Sequence, residues 1–262
     1  MTRVLRRTLT NEMAPAVSQR GQPTVAFGPE MPGWGSWDWV GADIAQELSK
    51  SFRTAMFHGS DVPESDVVVF VKHAPPVDLV RQVARRSAVI YCPVDCYGDA
   101  AEIDADAQML RTCDRVVIHC ERLRKYFQSY SLVEYVDHHI RFTAPVRERF
   151  QTEGYVLWVG VRTNLPPLIE WLNGHSLPCE LRILTNLEDP SRPLSPGEIG
   201  IRSPAGVTIE NWSAERQLER TAEARAAIDV KGTDFRSRHK PAAKGIDFIA
   251  SGVPLAYDAH IN

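Results

Sequence analysis

One run of the chain gathers the residue types that handle anions. It reads Arg238-His239-Lys240-Pro241-Ala242-Ala243-Lys244-Gly245-Ile246-Asp247-Phe248-Ile249-Ala250-Ser251-Gly252-Val253-Pro254-Leu255. A basic turn containing proline opens what reads as a helix from Pro241 to Ser251. Free N–H groups at a helix N-terminus, with His239, Lys240 and Lys244 beside them, suit a diphosphate. Asp247 lies one turn further in, where a carboxylate can accept hydrogen bonds from ribose or sugar hydroxyls. Gly252, followed by Pro254, lets the chain leave the helix for a final strand.

Further candidates are spread along the chain. Arg162 follows Val156-Leu-Trp-Val-Gly160, and a guanidinium there can grip phosphate bidentately. Gly28-Pro-Glu-Met-Pro-Gly33-Trp34-Gly35-Ser-Trp37-Asp-Trp39-Val-Gly41 combines close backbone approach with rings that stack on sugars. Gly33, Trp34, Gly35 and Trp37 are therefore candidates for an acceptor loop. The glycines lack the spacing of a dinucleotide fingerprint. Asp95 follows a strand and is a candidate catalytic base, with Asp99 capping the next helix. His73, preceded by Lys72, is a second candidate. His138 and His139 read as packing near a linker. Each of these residues also has a purely structural reading. Cys92, Cys96, Cys113, Cys120 and Cys179 read as reduced thiols, and no second cysteine pair or histidine cluster accompanies Cys92 and Cys96 to make a metal site.

Those side chains need a scaffold, and short apolar runs alternating with amphipathic stretches supply one. Strands are expected at 24–28, 52–57, 67–71, 88–92, 115–119 and 133–136. Helices are expected at 37–49, 77–86, 99–111 and 122–129. After a polar link (141–154), strands follow at 155–160, 181–185, 207–210, 226–230 and 254–257. Helices in this half are expected at 165–173, 214–224 and 241–251, and a loop at 189–204. This alternation predicts two doubly wound parallel sheets with helices on both faces. The domains are a loose lead-in (1–22), a first Rossmann-like domain (23–145) and a second (146–262). The second ends on a strand without a covering helix, so the reading expects a chain cut short.

Composition bounds the function. The 262 residues hold 44% hydrophobic and 24% charged residues, with a net charge of −3. That is the mix of a globular protein, and it lacks the basic excess of a nucleic-acid binder. No apolar run approaches the roughly 20 residues of a membrane span. A cytoplasmic location is expected, with peripheral membrane contact left open.

The end motif, in a chain of two α/β units, resembles the donor-binding segment of GT-B glycosyltransferases of group 1 (GT4-like). The likeness runs from about Thr24 to Asp258. It takes in Val25-Ala-Phe-Gly28, Cys113-Asp-Arg-Val-Val-Ile-His-Cys120 and Val156-Leu-Trp-Val-Gly160. It implies that Lys244 and Arg162 meet the diphosphate of a nucleotide-sugar and that an acid at 247 meets the ribose or sugar. The chain departs from the family pattern in three places. Asp247 stands for the usual Glu, His239 stands where a second Glu often lies eight residues earlier, and Pro166 and Pro167 leave no lysine after Arg162. The implied activity is metal-independent glycosyl transfer from a nucleotide-sugar, needing no cofactor, to a sugar, lipid-linked sugar or protein hydroxyl. The missing Glu pair favours an alternative, an inactive nucleotide-sugar-binding protein. A nucleotide-sugar epimerase of the same fold is a third reading.

Overall fold

The computed structural model describes residues 21–146 and 151–257. Most of the lead-in and the last five residues lie outside this range. Two all-parallel sheets form, as the alternation requires. The first contains β1 (Thr24–Gly28), β2 (Arg53–Met56), β3 (Val67–Val71), β4 (Ala88–Cys92), β5 (Arg115–Ile118) and β6 (Val133–Tyr135), in the order β2-β1-β3-β4-β5-β6. The second contains β7 (Val156–Val159), β8 (Leu181–Thr185), β9 (Val207–Asn211), β10 (Ala226–Asp229) and β11 (Leu255–Tyr257), in the order β11-β10-β7-β8-β9.

Side chains alternate between the faces of each sheet. Ala26, Val68, Phe70, Val89 and Tyr91 join one core layer, and Val25, Phe27, Val69, Val71 and Cys92 join another. In the second sheet Leu157 and Val159 pack with Ala227 and Phe248, while Val156 and Trp158 pack with Leu168, Leu181 and Ile183. Strands covered on both faces need continuous apolar runs, and Val67-Val-Val-Phe-Val71 is one.

Several elements differ from the sequence expectation. A tight turn at Asp106 splits the expected 99–111 helix into Ala100–Ala105 and Ala107–Leu110. An unexpected turn of helix, Phe235–Arg238, is capped by Asp234, whose carboxylate accepts from the Ser237 amide at 3.0 Å. The last helix begins at Ala243 rather than Pro241. The loop expected at 189–204 contains a short 3-10 turn, Pro196–Ile199, closed by a capping box between Ser195 and Glu198.

The linker is fastened to both halves. The Arg141 amide donates to Asp247 Oδ1 (2.9 Å) and the Ala144 amide to Ser251 Oγ (3.0 Å), both on or beside the last helix. The Arg141 guanidinium pairs with Asp38 and Asp43 of the first half, each at 3.1 Å.

Candidate active-site cleft

Parallel α/β sheets bind ligands beyond the carboxyl ends of their strands, where the strand order reverses. In the first sheet that point lies between β1 and β3, and in the second between β7 and β10. Both open onto one cleft of about 440 Å³. The first half lines it with Trp34, Gly35, Ser36 and Trp39 after β1, Lys72 after β3, Asp95 after β4, and His138. The second half supplies Val161, Thr163 and Asn164 after β7, Lys231 after β10, and Arg236, Lys240 and Lys244 from the final segment.

Lys244 is half-buried in the first turn of the Ala243–Ala250 helix. Its ammonium donates to the Val159 carbonyl at 2.9 Å and lies 5.8 Å from the Trp158 ring centre. Gly160 makes this reach possible, because a Cβ there would stand 3.1 Å from Lys244 Nζ and 2.4 Å from the Trp158 ring. Burial, reinforced by the like charges of Lys231 and Lys240, pushes Lys244 down to about 7. Burial also lowers Lys240, whose Nζ donates to Asn164 Oδ1 at 3.1 Å. Lys231 pairs with Asp229 at 2.8 Å, and Arg236 crosses to the Cys96 carbonyl of the first half at 3.1 Å.

Asp95 holds a left-handed backbone (φ 51°), and its Oδ1 is buried without a hydrogen-bond partner among the described residues. His138 is buried against His119, with ring centres 4.5 Å apart. Burial pushes His138 down to about 3, so its imidazole is neutral. The Ala243–Ala250 helix has Ala242 at its N-cap, with no side chain to accept its first amides. Tyr257 fills part of that role: its hydroxyl donates to the Ala242 carbonyl at 3.2 Å and accepts from the Gly245 amide.

The cleft brings together Trp34, Gly35, Asp95, Lys240 and Lys244 from the sequence-derived candidates. The others lie elsewhere. Trp37 is a core residue, 3% exposed. Gly33 takes φ 83° in the turn before the cleft residues. His73 is exposed outside the lining, and its neighbour Lys72 turns inward instead. Arg162 reaches outward to Glu188 at 2.8 Å. His239 packs on Phe235 and Tyr126 at the seam between the halves. Asp247, 1% exposed, holds the linker amide of Arg141 instead of facing the cleft. Gly252 ends the last helix with φ 69°, a conformation that disfavours any residue with a Cβ. Sequence reasoning passed over Lys72, Lys231 and Arg236 as site residues. The available signal was position, since Lys72 directly follows the apolar run of β3 and Lys231 lies two residues past the end of β10.

No protein-family model matches the chain, and no curated protein matches it. A solved structure shares its fold. A glycosyltransferase involved in avilamycin A biosynthesis, AviGT4, superposes with a TM-score of 0.51 at 14% identity, over 90% of this chain and 78% of that one. The glycosylation-associated Gap123 complex from Streptococcus agalactiae matches at TM-score 0.47 and 12% identity, over 77% of this chain. This chain spans 44% of that chain's length. An α1,3-fucosyltransferase matches at TM-score 0.45 and 11% identity, over 94% of this chain and 72% of that one. The AviGT4 superposition and the two parallel-sheet α/β units facing a cleft make the architecture one of the GT-B type. No described helix is long and apolar enough to cross a membrane.

Proposed function

We propose that this protein transfers a glycosyl group from a nucleotide-sugar to an acceptor hydroxyl. The observation that carries the reading is the charge of the cleft. Lys231, Arg236, Lys240 and Lys244 converge from the second half on a space that Asp95 faces from the first. Cations aimed at a departing diphosphate, Lys240 and Lys244 among them desolvated by burial, stabilise the charge that develops as it leaves. They supply the neutralisation that a divalent ion supplies in other transferases. In the transfer, the acceptor oxygen bonds to the anomeric carbon as the bond from that carbon to the diphosphate oxygen breaks. The electron pair leaves with the diphosphate, and the hydroxyl proton goes to Asp95.

Two of the expected contributors act differently in this proposal. Asp247 anchors the linker, and Arg162 belongs to an outer ion pair with Glu188. Ribose or sugar hydroxyls would instead meet Asn164 and Thr163, which line the cleft beside the lysines. The absence of Asp247 from the cleft lining also favours the second reading, a nucleotide-sugar-binding protein without turnover.

Calorimetry with uridine and guanosine diphosphates and their sugar conjugates tests the donor site. A charge-assisted contact of this kind is worth about 1.5–3 kcal/mol, so Lys244→Ala is expected to weaken diphosphate binding roughly tenfold to a hundredfold. Unchanged affinity would remove Lys244 from the site. Tight binding with no release of free diphosphate across an acceptor panel would select the binding-protein reading.

A further inference from the structure

Lys72 is the one cation that the first half contributes to the cleft lining. It is 5% exposed, yet its ammonium forms no salt bridge with a carboxylate among the described residues. Its contacts are neutral: Ser36 Oγ at 3.2 Å and the Trp34 ring, whose centre is 4.9 Å away. A buried charge without a directly paired carboxylate is costly to maintain, and Asp95 offsets it only from beyond salt-bridge reach. The backbone is also committed to placing it. Lys72 has φ 72°, held by its own amide donating to the Cys92 carbonyl (2.9 Å) and by Tyr91 Oη donating to its carbonyl (3.0 Å).

Asp95 is the matching case. Lys72 and Asp95 are the two non-glycine residues with positive φ among the described residues, and they follow the paired strands β3 and β4. Strained backbone of this kind collects where a side chain must be aimed. Among the described residues Asp95 Oδ1 has no hydrogen-bond partner and the Lys72 ammonium has no carboxylate within salt-bridge distance, although the two charges attract at longer range. Both open onto the same volume, across from the second half's cations.

We propose that Lys72, Ser36 and Asp95 form an acceptor subsite that selects an acceptor bearing an oxyanion, a carboxylate or a phosphate, beside its attacking hydroxyl. The assignment rests on the glycosyl-transfer reading above. The oxyanion supplies the direct ion pair that Lys72 lacks, since Asp95 acts on it only from beyond salt-bridge reach. Ser36 Oγ accepts from Lys72 and keeps its own proton to donate to the ligand. Asp95 receives the hydroxyl. Trp34, 53% exposed, presents a ring face for a sugar to cover. The donor diphosphate does not need Lys72, because the second half brings its own cations.

The test uses the full chain, with uridine and guanosine diphosphates as donor-site probes. Glucuronate, glucose 6-phosphate and glucose serve as acceptor-site probes, with and without saturating diphosphate. The parent is expected to bind at least one charged sugar about tenfold or more tightly than glucose. Lys72→Met should remove roughly tenfold to a hundredfold of that charged-sugar affinity. It should leave glucose and diphosphate binding unchanged, while Lys244→Met shows the reverse pattern. Comparing the uronate with the sugar phosphate identifies which oxyanion is read. Ser36→Ala, a smaller change within the same contact, should weaken the charged sugar alone and guards against misfolding of Lys72→Met. Equal binding of charged and neutral sugars by the parent overturns the proposal. So does a loss of diphosphate affinity in Lys72→Met equal to that in Lys244→Met, which would move Lys72 into the donor site and leave glycosyl transfer standing. Failure of the parent to bind either diphosphate would instead sink the donor reading, and the acceptor role with it.

Discussion

At the scale of single residues, Lys244 carries the sharpest pH signature. Below about 7 its amine is charged in both the folded and unfolded chain, so it adds no pH dependence to stability. Between about 7 and the unfolded value of about 10.4, the unfolded chain holds a proton that the folded chain lacks. Stability therefore rises with pH across that window on this account. The buried thiols Cys92 and Cys113, pushed up to about 12, act in the opposite direction, so the effect is read as the difference between parent and Lys244→Met. Ligand binding has the opposite slope. A phosphate wants the charged amine, so nucleoside diphosphate affinity should fall as pH rises from 6 to 8.5, with proton uptake on binding. Lys231, Lys240, Asp229 and Asp95 face the same amine and set its starting point. The phosphate itself titrates in a neighbouring range, and Lys244→Met controls for it. Calorimetry in buffers of different ionisation enthalpy measures the uptake. Equal proton uptake in parent and variant would contradict this role for Lys244. Lys240, Lys244 and Asp95 were legible in the sequence because a turn or strand end precedes each, where cleft residues gather. Asp247 lies off the lining because helical spacing says which residues share a face but not which neighbour that face meets, and Arg162, also at a strand end, turns to Glu188 instead.

At the scale of elements, the last helix has two duties. Its first turn presents Lys244 to the cleft, and its later turns hold the linker through Asp247 and Ser251. The second duty predicts what Asp247→Ala does. It leaves the Arg141 amide without its acceptor in a partly buried place, a loss of about 1–3 kcal/mol. For a chain of this size that lowers the melting temperature by several degrees, at roughly 2–4 °C per kcal/mol. Nucleoside diphosphate affinity should stay close to the parent's. Calorimetric melting and a binding isotherm on the same sample separate the linker role from a ribose contact, which would weaken binding and spare the melt. The parallel strands were legible because burial on both faces demands continuous apolar runs, as at Val67–Val71. The Phe235–Arg238 turn was not, because its stability comes from one cap at Asp234 and from packing of Phe235 against Tyr126. Neither leaves a periodic trace in four residues.

At the scale of the whole molecule, the cleft's charges come from opposite walls. Lys72 faces Lys231, Arg236, Lys240 and Lys244 across a space in which Asp95 is the only lining carboxylate among the described residues. The walls are tied together at the seam by Arg236 reaching the Cys96 carbonyl and by Tyr126 packing edge-to-face against Phe235 and His239. Without a ligand anion, like charges from the two walls repel, opposed by Asp95, by these seam contacts and by the linker's ties to both halves. A polyanion in the cleft reverses the balance. By mass action, a ligand at a hundred times its dissociation constant adds about 2.7 kcal/mol of stability. That corresponds to roughly 5–10 °C in melting temperature for a protein of this size. The predicted order is nucleoside diphosphate above nucleoside monophosphate, with chloride contributing only through screening. Small-angle scattering should show a smaller radius of gyration with the diphosphate, and low salt should enlarge the change because screening weakens beyond about 10 Å at 0.1 M. Arg236→Ala removes both a cation and a tie between the walls, so it should shrink the diphosphate-induced rise in melting temperature more than it lowers the melting temperature of the free protein. Stabilisation by chloride equal to that by the diphosphate would show that the cleft is only a diffuse patch of positive charge.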